Sequence, residues 1–474
     1  MLVKIILLLL FFGCMIAVGL YARRSANSMT DFVLGGRSVG PWLSAFAYGT
    51  SYFSAVVFVG YAGQFGWKYG LASTWIGLGN AVIGSLRAWV AMGRRTRVMT
   101  HHLEVATMPD FFGRRYDSNV IKIVASAIAF VFMIPYTASV YNGLSRLFGM
   151  AFDIPYTVCV ITMAVLTGVY VILGGYMATA INDFIQGIIM LFGIVAVIGA
   201  VLSGQGGFIE AVRKLSELPS DVPVTMGQQG AFASFFGTDP LNLLGVIILT
   251  SLGTWGLPQM VHKFYAIKSE KAIKTGTIVS TFFAVIVSGG CYFLGGFGRL
   301  FDAEALYKAD GSVMYDAIVP SMLSTLPDLL IGVVIILVLS ASMSTLSSLV
   351  LTSASTLTLD FIKGNIVKEM NDKKQLIYIR VLIVFFIPFQ TVEITFFIAF
   401  TTVVTAVLIP FHTVVMTVFI AFSTVVTVFL MAFHAVVIKV WIAVTTVVTT
   451  VFIPFQTVVN TVFMAFKTVV MMVL

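Results

Sequence analysis

Residues 328–357 read DLLIGVVIILVLSASMSTLSSLVLTSASTL, a run in which only Asp328 is charged. About 20 apolar residues suffice to cross a bilayer as a helix, so this stretch reads as a transmembrane helix with a polar block in its middle. The block is Ala341-Ser342-Met343-Ser344-Thr345, continued by Leu346-Ser347-Ser348. On a helix, positions 341, 344 and 345 share one face, so the Ala341 carbonyl and the hydroxyls of Ser344 and Thr345 can converge. A dehydrated sodium ion takes neutral oxygens at about 2.4 Å, by analogy with the hard-cation rules. The local alternative is that membrane serines and threonines bond back to carbonyls one turn earlier. A partner helix decides between the two.

Working outward, further apolar runs lie at 3–22, 41–65, 71–93, 120–147, 154–173, 179–202, 239–262 and 272–298, and a tenth begins near 376. The whole chain of 474 residues is 59% hydrophobic and 10% charged, against roughly 25% charged in a soluble domain. It therefore reads as an all-α polytopic membrane protein. The net charge of +8 does not mark a nucleic-acid binder, because the basic residues sit between apolar runs and form no stripe. With the N-terminus outside, the cytoplasmic ends collect eighteen Lys and Arg and the outer ends seven. That imbalance is the positive-inside rule, and it counts Lys263 among the cytoplasmic loop charges. The first run, from Lys4 to Arg23 and Arg24, is taken as a span, since bulky Phe11 and Phe12 precede Gly13-Cys14 where a processing site would need small residues. Cys14, Cys159 and Cys291 are isolated within apolar runs, which points to neither a disulfide framework nor a metal site.

Two runs look interrupted. Gly49-Thr50-Ser51 falls at mid-depth in 41–65, and Gly253, Gly256 and Pro258 fall in 239–262. Such breaks free backbone groups inside the bilayer, and broken helices at corresponding places of two halves point to a transporter's central site. Close packing of helices on small residues is the competing reading.

Four segments together carry a resemblance. They are Leu34-Gly35-Gly36-Arg37-Ser38-Val39-Gly40-Pro41, then Thr107-Met108-Pro109-Asp110-Phe111-Phe112, then Gly174-Gly175-Tyr176-Met177-Ala178 with Asp183 and Gln186, and the block at 341–345. In order and spacing, over about residues 1–383, they resemble the sodium:solute symporter family, which includes proline, pantothenate, sialic-acid and sugar symporters. The resemblance implies a five-plus-five inverted repeat of the leucine-transporter type, preceded by one extra helix. It implies a Na⁺ site made by the carbonyls of Thr50 and Phe53 with Ala341, Ser344 and Thr345 opposite. It places Asp183 on the cytoplasmic ion-exit route; read from the sequence alone, that acid also suits a helix N-terminus. Residues facing the solute are expected at Ser54, Tyr136, Tyr141, Trp255 and Gln259, where rings and amides can orient a small polar molecule. One position departs from the pattern, because some proline-transporting members place an aspartate where this chain has Tyr52.

The function so implied is secondary active transport in the plasma membrane, coupling inward Na⁺ movement to uptake of a small organic solute by alternating access, with membrane lipid as a further partner and no catalytic residues. Each positive charge moved inward is worth about 2.3 kcal/mol per 100 mV. A solute-binding membrane sensor, or a degenerate symporter, is the alternative. The latter arises because residues 386–473 form eight units of an eleven-residue repeat beginning Phe-Ile-Pro-Phe-Gln-Thr-Val. This region, 384–474, is apolar on every side and rich in strand-favouring Val, Thr, Ile and Phe. It reads either as extra spans or, preferably, as an expanded or frame-shifted repeat that leaves the second five-helix unit incomplete.

Overall fold

A computed structural model describes residues 2–152, 156–308, 310–363, 365–367 and 369–384, with isolated positions between 431 and 464. The expectations for 384–474 therefore lie almost wholly outside the described residues. Two compact units divide the chain, Met1–Ile394 and Thr395–Leu474. In the second, the described positions are helical apart from one in a π-helical turn, with Thr446 Oγ1 bonding back to Ile442 O at 2.8 Å.

The first unit is helical. Its α-helices are α1 (Leu2–Ala22), α2 (Met29–Leu34), α3 (Pro41–Tyr52), α4 (Ala62–Tyr69), α5 (Thr74–Gly79), α6 (Arg94–His102), α7 (Met108–Arg115) and α8 (Asn119–Phe152). They continue as α9 (Tyr156–Gly204), α10 (Phe208–Glu217), α11 (Pro240–Leu252), α12 (Pro258–Ala266), α13 (Glu270–Gly295), α14 (Tyr315–Ser324) and α15 (Asp328–Thr356). Turns of π-helix fill Val56–Tyr61 and Asn80–Arg87, so both stretches stay helical between the α-segments. Among the described residues five helices are long and apolar enough to cross a membrane, or seven when two bent pairs are each taken as one.

Two of those seven are too long for one crossing. The run Val56–His102 and the 49-residue α9 would each reach about 70 Å at 1.5 Å per residue, far beyond the roughly 30 Å apolar core of a bilayer. Each contains a glycine that only a residue without Cβ accommodates easily: Gly70 at φ 61°, ψ −142° and Gly175 at φ 54°, ψ −143°. A Cβ on Gly175 would lie 2.5 Å from Phe32 O. At these glycines each run divides into two arms, and among the described residues a further helical stretch follows at 372–384. The runs expected at 154–173 and 179–202 are thus the two arms of α9.

The motifs behind the resemblance build this scaffold. Gly35, Gly36 and Arg37 occupy the left-handed region in succession, which turns the chain from α2 into α3 and lets Arg37 Nη2 donate to Val105 O at 2.7 Å. Thr107 caps α7 by accepting from the Asp110 amide, and its hydroxyl donates to Asp360 Oδ1 at 2.8 Å. Asp110 in turn takes Lys122 Nζ at 2.7 Å, tying α7 to the start of α8. Small residues set the closest helix approaches: a Cβ on Gly66 would stand 2.0 Å from Gly295 O. α9 packs on α15, α1, α3 and α13, and this places α3 and α15 side by side at the centre.

Candidate ion and solute site

The first break falls a few residues beyond Gly49-Thr50-Ser51. Phe53 leaves the helical region (φ −107°, ψ 86°) while its amide closes the last turn on Gly49 O. The helix resumes at Ala55, and the axis bends by 49°. Across from the break stands the polar block of α15. Ser344 Oγ lies 3.2 Å from Thr50 O and 3.2 Å from Ala341 O, so its one proton serves either carbonyl, and Thr345 Oγ1 donates to Ala341 O at 3.1 Å. Thr50, Ala341, Ser344 and Thr345 are all buried, and Phe53 is 2% exposed. Two oxygens at right angles around an ion with bonds of about 2.4 Å stand about 3.4 Å apart. The observed oxygen spacings would need to widen by only a few tenths of an ångström to take a sodium ion. The hydroxyls bond back along α15, and Ser344 also reaches the broken helix.

One turn further on, the same two helices meet again through Ser51 Oγ and Ser348 Oγ, 3.0 Å apart. Ser348 also accepts from Lys263 Nζ at 2.8 Å. Lys263 is 1% exposed; its charge points to a cytoplasmic loop, but α12 carries it into the bundle. Its ammonium lies 3.7 Å from Asp183 Oδ2 and 5.2 Å above the Tyr176 ring. At that distance the contact with Asp183 is an ion pair and not a hydrogen bond. Asp183 lies two turns beyond the Gly175 reversal, past the first turn in which a helix dipole acts. Its N-terminal reading therefore gives way to one in which a buried cation balances it.

The second break lies at Leu257 (φ −71°, ψ 123°), between a 3₁₀ turn at Gly253–Gly256 and α12, with a bend of 54°. Between the two breaks is a cavity of about 380 Å³. Tyr52 and Ser54 line it from the first break, Gly253, Thr254 and Leu257 from the second, and Asn80, Tyr136 and Tyr292 from the surrounding helices. Asn80 Oδ1 accepts from both Thr250 and Ser251 at 3.1 Å, and Tyr52 donates to Thr250 O at 3.0 Å. A second cavity of about 510 Å³ lies toward α7, lined by Met108, Pro109, Phe112 and Gln259, and it shares Tyr136 and Leu257 with the first.

Of the five residues expected to face a solute, Ser54 and Tyr136 line the central cavity. Gln259 lines the second one, 1% exposed and with neither amide atom hydrogen-bonded. Trp255 lines neither; its indole donates to Ile83 O at 3.0 Å. Tyr141 is buried in α8 outside both walls. Asn80, Thr254 and Tyr292 carried no signal in the sequence. For Lys263 a signal existed: a lysine within two turns after a helix-breaking proline, before any polar loop.

The profile of the sodium:solute symporter family matches residues 32–436, which takes the match past 383 and into the eleven-residue repeat. The chain is 32% identical over 365 residues to "Sodium/proline symporter 2" of Staphylococcus saprophyticus subsp. saprophyticus, covering 76% of this chain and 68% of that protein. It is 31% identical over 376 residues to "Sodium/proline symporter" of Staphylococcus aureus strain JH9, with the same coverage. In fold it is similar to the substrate-bound outward-open state of a Na⁺-coupled sialic acid symporter, with a TM-score of 0.69 at 16% identity over 82% of this chain and 80% of that one.

Proposed function

The chain belongs to the sodium:solute symporter family, a multi-pass plasma-membrane transporter for Na⁺-coupled solute uptake and not an enzyme, and we propose that it works by alternating access around the two breaks. The contact that carries this reading is Ser344 Oγ to Thr50 O at 3.2 Å, which joins the freed end of α3 to α15. A sodium ion held by Thr50, Phe53, Ala341, Ser344 and Thr345 bridges these helices and selects the arrangement in which they are close. In that arrangement the solute site between the breaks is formed and open to the outside. When the ion leaves toward the cytoplasm past Asp183, the bridge is lost and the other face opens. The two cavities separated by Tyr136 and Leu257 support a path of this kind, with a thin partition between its outer and inner parts.

The solute class follows from the walls. Among the described residues the central cavity is lined by no Asp, Glu, Lys or Arg, and a lone charge brought there would be costly to desolvate. The solute is therefore a small polar molecule without net charge, neutral or zwitterionic, oriented by Ser54, Asn80 and Thr254 and packed against the rings of Tyr52, Tyr136 and Tyr292. Proline, named in the staphylococcal relatives, is one such zwitterion.

The test is accessibility to a membrane-impermeant maleimide in a chain freed of its own cysteines, with Tyr61→Cys reporting the outer cavity and Phe112→Cys the inner one. Na⁺ in place of K⁺ raises labelling at 61 and lowers it at 112. Labelling that moves in the same direction at both positions, or at neither, contradicts alternating access.

A further inference from the structure

An ammonium group in the middle of a membrane protein is expensive and is kept where it does something. Lys263 is such a group, and the transport cycle just described makes no use of it. Four elements meet at its side chain. Ser348 on α15 accepts its hydrogen bond, Ser51 at the end of α3 shares that serine, and Asp183 and Tyr176 on α9 surround the charge. Lys263 itself sits on α12, which is only nine residues long and joined to α11 through the bend at Leu257. Neither Asp183 oxygen has a hydrogen bond, so among the described residues the ammonium is its counter-charge. Ser51 directly follows Thr50, and Ser348 lies one turn beyond Ser344. The contacts of Lys263 are thus made by the immediate neighbours of the groups assigned to sodium.

Resting on that sodium assignment, we propose that Lys263 is a positioning residue which latches the cytoplasmic half of the second broken helix to the sodium site. While the ion holds Thr50 O beside the hydroxyls of Ser344 and Thr345, Ser51 and Ser348 stay within hydrogen-bond reach and the ammonium keeps its acceptor. When the ion departs and α3 swings away from α15, Ser348 loses Ser51, its contact with the ammonium loosens, and α12 is released. The latch is a physical chain with two arrangements, which is what coupling between sites requires. The fixed charge of Asp183 keeps the ammonium in the bundle throughout, so release moves the helix without expelling the lysine.

The experiment needs no solute. Cys14, Cys159 and Cys291 are replaced by alanine, and Thr352→Cys, one turn from Ser348 toward the cytoplasm, reports opening of the inner face in proteoliposomes. In this parent, Na⁺ in place of K⁺ slows labelling by about ten-fold, a coupling of ordinary size. Lys263→Met is expected to label at the K⁺ rate in both salts. Because that substitution leaves a buried carboxylate without its counter-charge and can impair folding, Lys263→Met with Asp183→Asn is made as well, and it too is expected to ignore Na⁺. A Na⁺ response that survives in Lys263→Met, or that returns in the neutral pair, overturns the latch and leaves Lys263 a counter-charge for Asp183. A parent that does not respond to Na⁺ overturns the sodium assignment itself, and the latch with it.

Discussion

Replacing Ser344 and Thr345 by alanine removes two hydroxyls from the junction of α3 and α15. Ser344 Oγ stands 3.2 Å from Thr50 O and Thr345 Oγ1 stands 3.1 Å from Ala341 O, and all these groups are buried. In the absence of the ion, each hydroxyl makes a neutral hydrogen bond whose net worth is about 1 kcal/mol, so the fold is expected to survive. With the ion bound, each hydroxyl oxygen faces a full charge, and such interactions are worth about 1.5–3 kcal/mol. A single Ser344→Ala should therefore raise the Na⁺ concentration for half-maximal solute binding by roughly 10- to 100-fold, taking 1.4 kcal/mol per factor of ten. The double substitution should abolish sodium-dependent binding. Thr345→Ser keeps the oxygen and loses only a methyl, and should change the Na⁺ requirement little. The assay is equilibrium binding of radiolabelled L-proline, with a neutral sugar in parallel, titrated with NaCl at constant ionic strength. An unchanged Na⁺ requirement in a folded double variant would refute the assignment of this junction as the ion site.

Tyr136 stands between the two cavities, so Tyr136→Ala should weaken solute binding by about ten-fold, in line with the loss of a ring contact and its buried area, while Tyr136→Phe keeps most of it; binding isotherms compare the two. A Cβ on Gly66 would lie 2.0 Å from Gly295 O, so Gly66→Ala should force α4 and α13 apart and lower the thermal unfolding midpoint in detergent, with Na⁺ affinity per folded molecule falling less than in Ser344→Ala.

What the chain announces about itself follows from how local each feature is. The apolar runs and the Lys and Arg imbalance are local, and the helices lie where those runs are. The block at 341–345 was readable because helical spacing alone puts its oxygens on one face. Its partner was harder to place: glycine, threonine and serine at 49–51 suggested the break, which falls at Phe53 and Ser54 because bending there frees the Thr50 carbonyl for Ser344. Long-range placement left weaker traces. Trp255 looked like a solute contact because it adjoins Pro258, yet the 3₁₀ turn aims its indole at Ile83 O. Lys263 looked like a loop charge because charge near an apolar run usually stays in water. Only the fold shows that Asp183, eighty residues away in sequence, waits for it. Asn80 gave no sign at all, because an asparagine in a membrane helix is equally suited to packing, to capping and to a cavity wall.

Whether a sodium gradient moves a solute through this chain decides its function most directly. Purified full-length protein in proteoliposomes, given an inward Na⁺ gradient and an inside-negative potential, is predicted to accumulate L-proline or another solute without net charge above its outside concentration. It should stop doing so when K⁺ replaces Na⁺ or when Ser344 and Thr345 are both alanine. Accumulation that is the same in Na⁺ and K⁺, or that survives the double substitution, would contradict sodium-coupled uptake.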